Sequence, residues 1–261
     1  MITAGCDLGS LTAKAVILID GKIAASKVIR AYSSPEKSAM EVMNAAVEEA
    51  GITIDDIENC VGTGYGRKNI GFVKSVESEI ACHARGAFRQ LPGVRTVVDI
   101  GGQDAKAIRV DENGNVERFV YNDKCASGTG RFLEIIADAL DIRLEDLGDI
   151  SLDSKEKLRL SNQCVVFAET EIISLVNEGK EIADIVNALH HAVANRAASL
   201  ARSISVENDV VMTGGVAKNP GMFRALERAL GVELKSVADP QINGALGAAI
   251  FAEEAVAAAA K

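Results

Sequence analysis

Asp7-Leu8-Gly9-Ser10-Leu11-Thr12-Ala13-Lys14-Ala15-Val16 recurs as Asp99-Ile100-Gly101-Gly102-Gln103-Asp104-Ala105-Lys106-Ala107-Ile108. Asp, Gly, Ala, Lys and Ala match in register, and two other positions are conservative. Each copy leads to a hairpin signal, Asp20-Gly21 in the first and Asn113-Gly114 in the second, dipeptides that accept the positive φ of a tight turn. A second echo supports the first. Val61-Gly62-Thr63-Gly64 and Val211-Met212-Thr213-Gly214-Gly215 each end an apolar stretch, and Lys-Asn follows both, at 68–69 and 218–219. The chain therefore reads as two related halves, each opening with strand, D-x-G turn, strand, D/N-G turn, strand.

Outward from those turns, periodicity predicts strands over 2–8, 13–19, 22–30, 57–62, 94–100, 105–110, 116–121 and 208–213. It predicts helices over 36–51, 77–90, 129–140, 165–178, 181–203, 219–230 and 243–258, with Pro35 and Pro220 at helix starts. Strands interleaved with helices make the fold α/β. The expected division is an N-terminal half at 1–92, a C-terminal half at 93–240, and a last helix at 241–261 that packs back on the first half.

Composition narrows the function. The 261 residues are 48% hydrophobic and 25% charged, enough apolar material for a packed core. A net charge of −9 argues against nucleic acid or an anionic membrane as partner. Absence of Trp, with only 3 Tyr and 7 Phe, leaves few platforms for stacking bases. No uncharged apolar run reaches about 18 residues, and MITAGCDLGS does not read as a secretory signal. The expectation is a cytoplasmic chain. Its five cysteines, at 6, 60, 82, 125 and 164, include no CxxC pair, so a disulfide scaffold is not expected.

The D-x-G turns carry phosphate-binding chemistry. Gly9 and Gly101 let successive N–H groups approach an anion, and Ser10 adds a hydroxyl. Asp7 and Asp99 would repel phosphate alone; a Mg²⁺ between carboxylate and phosphate reconciles them. Lys14 and Lys106 follow each Asp by seven residues, and a tight turn intervenes, so alternation does not fix their facing. The plainer alternative is a pair of hairpins whose Asp side chains make turn hydrogen bonds. P-loop and dinucleotide fingerprints are both missing.

Two cysteines stand apart. Cys6, Cys60 and Cys82 lie in expected core elements. Cys125 and Cys164 each follow a polar stretch and immediately precede an apolar-periodic helix, whose N-terminus favours a thiolate. Two thiolates do not complete a four-cysteine site, so the choice lies between ordinary reduced thiols and a cluster shared with a second copy. His190-His191 is not metal-spaced and reads as structural.

Duplicated D-x-G hairpins with a late T-G-G resemble the actin, hexokinase and heat-shock-chaperone ATPase superfamily. That resemblance implies two ribonuclease-H-like halves flanking a nucleotide cleft, with Gly214 and Gly215 against adenosine. DIGGQDAK (99–106), NDKCASGTGRF (122–132), NQCVVFAETEIIS (162–174), TGGVAKN (213–219) and NGALGAA (243–249) together resemble a narrower group. These are the ATP-dependent activators of 2-hydroxyacyl-CoA dehydratases and the ATPase subunits of benzoyl-CoA reductases. The resemblance implies an oxygen-sensitive homodimer with one bridging [4Fe-4S] cluster held by Cys125 and Cys164 of each copy. It implies ATP hydrolysis coupled to passing a low-potential electron, taken from a donor such as ferredoxin or flavodoxin, to a partner iron–sulfur dehydratase or reductase acting on CoA thioesters. Asp7, Asp99 and Gln103 would be catalytic. Gly9, Ser10, Leu11, Thr12, Ala13, Lys14, Gly101, Gly102, Gln103, Lys106, Gly214, Gly215 and Gln241 would hold ATP or ADP with Mg²⁺. Rival readings are a small-molecule kinase of the same superfamily, a nucleotide sensor without turnover, and an ATP-driven reductase of a double-cubane cluster protein.

Overall fold

A computed structural model of the protein describes residues 1–160 and 164–260; Asn162 and Gln163 of the second cysteine motif lie outside the described residues. In chain order the elements are β1 (Ile2–Leu8), β2 (Thr12–Ile19), β3 (Lys22–Arg30), α1 (Pro35–Ala50), β4 (Asn59–Thr63), β5 (Ser75–Val76), α2 (Glu79–Gln90), β6 (Thr96–Ile100) and β7 (Ala105–Val110). Then follow β8 (Val116–Asn122), α3 (Gly130–Ala139), α4 (Leu147–Leu152), α5 (Val165–Asn177), α6 (Ile182–Arg202), β9 (Val210–Thr213), α7 (Pro220–Leu230), β10 (Leu234–Lys235) and α8 (Asn243–Ala259). The two five-stranded sheets run β3-β2-β1-β4-β5 and β8-β7-β6-β9-β10. Replacing each strand of the first by the one five places later gives the second, so the internal repeat of the sequence is a repeat of topology. In each sheet a hairpin strand pairs antiparallel with the central strand, and a later strand pairs parallel with it.

The chain forms two compact units. One comprises Met1–Val94, Val110–Glu117 and the chain from Val237; the other comprises Arg95–Arg109 and Arg118–Ser236.

In the first unit the period of two along β1 sorts residues between two helices. Ala4, Cys6 and Leu8 join Ala39, Val42, Met43 and Ala46 of α1 in one apolar cluster. The alternate residues Thr3, Gly5 and Asp7 face α8. Thr3 Oγ1 donates to the Ala249 carbonyl at 3.4 Å, and a side chain on Gly5 would overlap the Ala245 backbone. Likewise a side chain on Gly247 would overlap the Cys82 carbonyl of α2. Small residues thus let α8 lie against both the strand and α2, which is why its N-terminus reaches the end of β1. Pro240–Ala259 is long and apolar enough to cross a membrane, but more than half of it is buried within this unit, as in a core helix. Local signals fix α1: Ser34 caps it by accepting from the Lys37 N–H at 3.3 Å, Pro35 opens it, and Gly51 at φ 69° closes it.

The second unit packs around α6, whose Ile185, Leu189, Val193, Ala197 and Ala201 bury one stripe against the sheet and neighbouring helices. The structure adds α4, β5 and β10 to the elements expected from sequence. The strands are two residues each and α4 is six, too short for periodicity to register. His190 of α6 is fully buried. Its Nε2 lies 3.3 Å from Asn219 Nδ2, and Nδ1 has no hydrogen-bond partner among the described residues. Burial first, then the neighbouring His191, pushes its pKa down to about 3.

That burial gives a pH signature. The unfolded chain takes up a proton near pH 6.5 while folded His190 stays neutral, so stability is full above 6.5 and falls as pH drops toward 3. Between pH 7 and 5 this one group removes about 2 kcal/mol, at about 1.36 kcal/mol per pKa unit. Urea unfolding at both pH values should show that loss in the wild type and a smaller one in His190→Gln. Equal pH dependence in the two proteins would remove His190 as its source.

Candidate functional site

In the first unit Asp7 stands at the end of β1, buried, with Lys14 directly opposite on β2. Residues directly opposite across antiparallel strands share a face, and Lys14 Nζ lies 3.1 Å from Asp7 Oδ2. Thr63 of β4 is the parallel partner of Asp7, but its hydroxyl donates to the Glu77 carbonyl at 3.2 Å. Asp7 Oδ1 is buried with no hydrogen-bond partner among the described residues. Gly64, at φ 90°, bends the chain past it; a side chain there would overlap this oxygen. On the other side, Oδ2 lies 3.0 Å from where a Cβ on Gly244 would stand, at the N-terminus of α8. The helix dipole favours an anion there. His83 Nε2 lies 3.1 Å from the same point, and the Asn243 amide donates to the His83 carbonyl at 2.9 Å.

The turn between β1 and β2 closes through Gly9 N–H donating to the Thr12 carbonyl at 3.1 Å. Ser10 is exposed at its tip, Leu11 and Thr12 are half-buried, and Ala13 points into the core. Gln241, half-buried, lies in a single turn of 3₁₀ helix before α8, its N–H donating to Asp239 at 3.0 Å.

The second unit repeats the arrangement with a different hydrogen-bond pattern. Asp99 ends β6, opposite Lys106 on β7 and beside Thr213 on β9. Lys106 is only 3% exposed. Its Nζ lies 3.4 Å from Asp99 Oδ2 and 2.7 Å from Asp104 Oδ2. Thr213 Oγ1 donates to Asp99 Oδ1 at 2.9 Å. Gly214, at φ 87°, is the counterpart of Gly64, and a Cβ there would stand 3.0 Å from Asp99 Oδ1. Gly215 is exposed and opens a 3₁₀ turn, while Gln103 is exposed in the β6–β7 turn. The Gly101 N–H donates to the Asp104 carbonyl at 2.9 Å. The first two N–H groups of α3, from Gly130 and Arg131, donate to the Gly101 and Gly102 carbonyls at 2.9 and 2.8 Å. Helix α3 is thereby fastened to the turn.

Residue-type reasoning missed Asp104, His83, Asn243 and Gly244. Asp104 replaces Thr12 of the first repeat, and that difference was the available signal. The other three are brought to Asp7 by the packing of α8 and α2, which no local pattern announces.

The arrangement suits a cation and phosphates. A buried carboxylate oxygen with no hydrogen-bond partner among the described residues, beside glycine-containing turns, is the donor chemistry a Mg²⁺–phosphate group takes. One or two carboxylates suffice for Mg²⁺ when phosphate and water supply the rest.

The cysteines divide as their contexts suggest. Cys6, Cys60 and Cys82 are buried; burial pushes the Cys60 and Cys82 thiols up to about 12 and Cys6 well above its ordinary value. Cys125 is half-buried and precedes the Ala126–Gly128 turn that leads into α3. Its thiol is lowered, first by hydrogen bonds from the Ser127 side chain and backbone, then by Arg196. Cys164 is exposed at the N-cap of α5, a helix that leaves Val166 67% and Phe167 62% exposed. Among the described residues no group of three or more His, Cys, Asp or Glu could hold a metal ion. Two accessible thiols per chain match half of a four-thiolate donor set.

The chain is 44% identical over 256 residues to an activator of lactoyl-CoA dehydratase from Anaerotignum propionicum, covering 98% of each. It superposes on a solved activator of the 2-hydroxyisocaproyl-CoA dehydratase from Clostridium difficile with bound ADPNP, with a TM-score of 0.96 and 42% identity over 100% of this chain and 97% of that one. A glucokinase of the ROK family from Streptomyces griseus shares the fold, with a TM-score of 0.60 at 14% identity, over 97% of this chain and 100% of that one. The fold is thus the actin/hexokinase-type α/β architecture. With residues 4–252 matching the family and the relatives aligned end to end, the chain belongs to the BadF/BadG/BcrA/BcrD ATPase family.

Proposed function

We propose that this chain is an ATP-hydrolysing electron-transfer activator of a partner iron–sulfur dehydratase or reductase that acts on CoA thioesters. Family membership implies ATP or ADP with Mg²⁺ as ligands, and relatives are activators of lactoyl-CoA and (R)-2-hydroxyglutaryl-CoA dehydratases. The observation that carries the reading is the joint between α3 and the Gly101–Gly102 carbonyls. It ties the helix that follows Cys125 to a turn suited to phosphate.

In this reading Asp7 and Asp99 hold Mg²⁺ and Gln103 orients the attacking water. Lys14 neutralises phosphate charge, and Lys106, locked between Asp99 and Asp104, keeps Asp99 in place. Gly9 to Ala13 and Gly101–Gly102 offer backbone N–H groups to phosphate. Gly214, Gly215 and Gln241 belong to the nucleoside. Cys125 and Cys164 of two copies hold one [4Fe-4S] cluster, which supplies one-electron storage at low potential. The exposed apolar face of α5 beside Cys164 suits burial against a second copy in a cytoplasmic homodimer. The electron comes from an external donor of ferredoxin or flavodoxin type and goes to the partner, while ATP and water become ADP and phosphate.

Anaerobically purified protein should contain about two iron atoms per chain, since one four-iron cluster is divided between two copies. Cys125→Ala should lose the iron and Cys82→Ala keep it; the reverse pattern sinks the assignment. Mg²⁺-dependent ATP hydrolysis should fall at least about tenfold in Asp99→Asn with the fold intact by circular dichroism. Full turnover in both Asp7→Asn and Asp99→Asn rules these turns out as the catalytic site.

In chelator-stripped, reduced protein, iodoacetamide should label Cys125 and Cys164 and spare Cys6, Cys60 and Cys82. Because its pKa is lowered, Cys125 should stay reactive below the pH where an ordinary thiol protonates, losing reactivity only as pH falls through its own pKa. Ser127→Ala should move that midpoint upward. Mass spectrometry of peptides across a pH series reads both.

A further inference from the structure

From outside its own turn the Cys125 sulfur is met by Arg196, on the exposed side of α6. Its Nη2 donates to Cys125 Sγ at 3.4 Å and its Nε to Ser127 Oγ at 3.1 Å. Ser127 Oγ itself lies 3.0 Å from the sulfur, which closes a triangle of polar contacts. Gly128 lets the arginine stem lie flat on the turn, because a Cβ there would stand 3.2 Å from Arg196 Cβ. The sequence marks none of this: Arg196 follows Cys125 by 71 residues.

We propose that Arg196 is a positioning residue that sets the reduction potential of the centre ligated by Cys125, and that α6 links this contact to the loop at Gly214–Lys218. The proposal rests on the cluster reading above. A guanidinium and a hydroxyl aimed at a ligating sulfur stabilise the more negatively charged, reduced state, so they raise the potential. A cavity of about 370 Å³, lined by Arg196, Asn122, Ser199 and Ser203, borders the contact and gives the guanidinium room to leave the sulfur.

The link to the loop is a second contact on the same helix. His190 meets the Asn219 side chain at 3.3 Å. Asn219 ends the Gly214–Lys218 loop and caps α7 by accepting from the Met222 N–H at 2.8 Å. His190 and Arg196 lie about 9 Å apart along a rigid helix, at 1.5 Å per residue. A shift of the loop that carries Asn219 therefore moves α6, and with it the guanidinium relative to the sulfur. Coupling of this kind is reciprocal.

The test compares anaerobic wild type, Arg196→Lys and Arg196→Gln by iron content and by EPR-monitored redox titration, each with and without MgADP and MgATP. Arg196→Gln should keep its iron. At a fixed potential its reduced-to-oxidised ratio should fall about tenfold, equivalent to about 59 mV for one electron, and the nucleotide-dependent shift of the wild type should shrink. Arg196→Lys, which keeps the charge, should recover most of the ratio. An iron-loaded Arg196→Gln that titrates with the wild type, or equal falls in the Gln and Lys variants, overturns the proposal. So does loss of iron from Arg196→Gln, which would make the residue structural. A wild type without iron, by contrast, brings down the cluster reading itself.

Discussion

A carboxylate buried at the end of a central strand is the constraint on which both units are built. Leaving water costs an ionised group several kcal/mol unless a partner compensates. The partner here is a lysine on the adjacent hairpin strand, in register with the aspartate in both units. That pairing requires the short D-x-G turn, because only a tight hairpin brings the lysine, seven positions on, back opposite the aspartate. It also requires glycine where the parallel strand turns away, since a side chain at Gly64 or Gly214 would crowd the carboxylate. Thus strand order, turn length and two glycine positions follow from one electrostatic requirement, met twice.

The two copies then diverge in a way that suits different tasks. In the second unit the charge pattern is closed: Thr213, Lys106 and Asp104 surround Asp99 with defined partners. In the first, Lys14 pairs with Asp7, and one carboxylate oxygen has no hydrogen-bond partner among the described residues. A fixed carboxylate orients well, whereas one with an unmatched oxygen has more to gain from a cation.

Most of the architecture was legible in the sequence because it is local. Hairpin dipeptides, helix caps and the period of two or 3.6 residues are written into consecutive residues. Asp20 and Gly21 both take positive φ, as a type I′ turn demands. The facing of the lysines was not legible, because the seven-residue spacing crosses a turn and only the register settles it. Nor was Arg196: the contact exists because α6 crosses the Ala126–Gly128 turn, and sequence spacing does not encode where a helix crosses. His83 and Gly244 escaped for the same reason, being joined to Asp7 by α2 and α8. The cysteines were legible in part. Their neighbours marked Cys125 and Cys164 as helix-start residues, while the difference in thiol acidity depends on burial and on Ser127 and Arg196.

Fastening α3 to a glycine turn has a mechanical consequence. Its first two N–H groups are satisfied by the Gly101 and Gly102 carbonyls rather than by a side-chain cap. A helix start normally has four such donors to satisfy. Because backbone carbonyls do the capping, a change in the conformation of the turn cannot leave α3 where it was without breaking those bonds. Cys125 precedes α3 by one short turn, and Arg196 holds that turn from the α6 side. The turn that follows Cys125 therefore lies between two helices, α3 bonded to the Gly101–Gly102 carbonyls and α6, whose His190 meets Asn219. Both attachments belong to the second unit, so the Asp99 turn and the Asn219 loop reach the Cys125 turn through helices of one compact body.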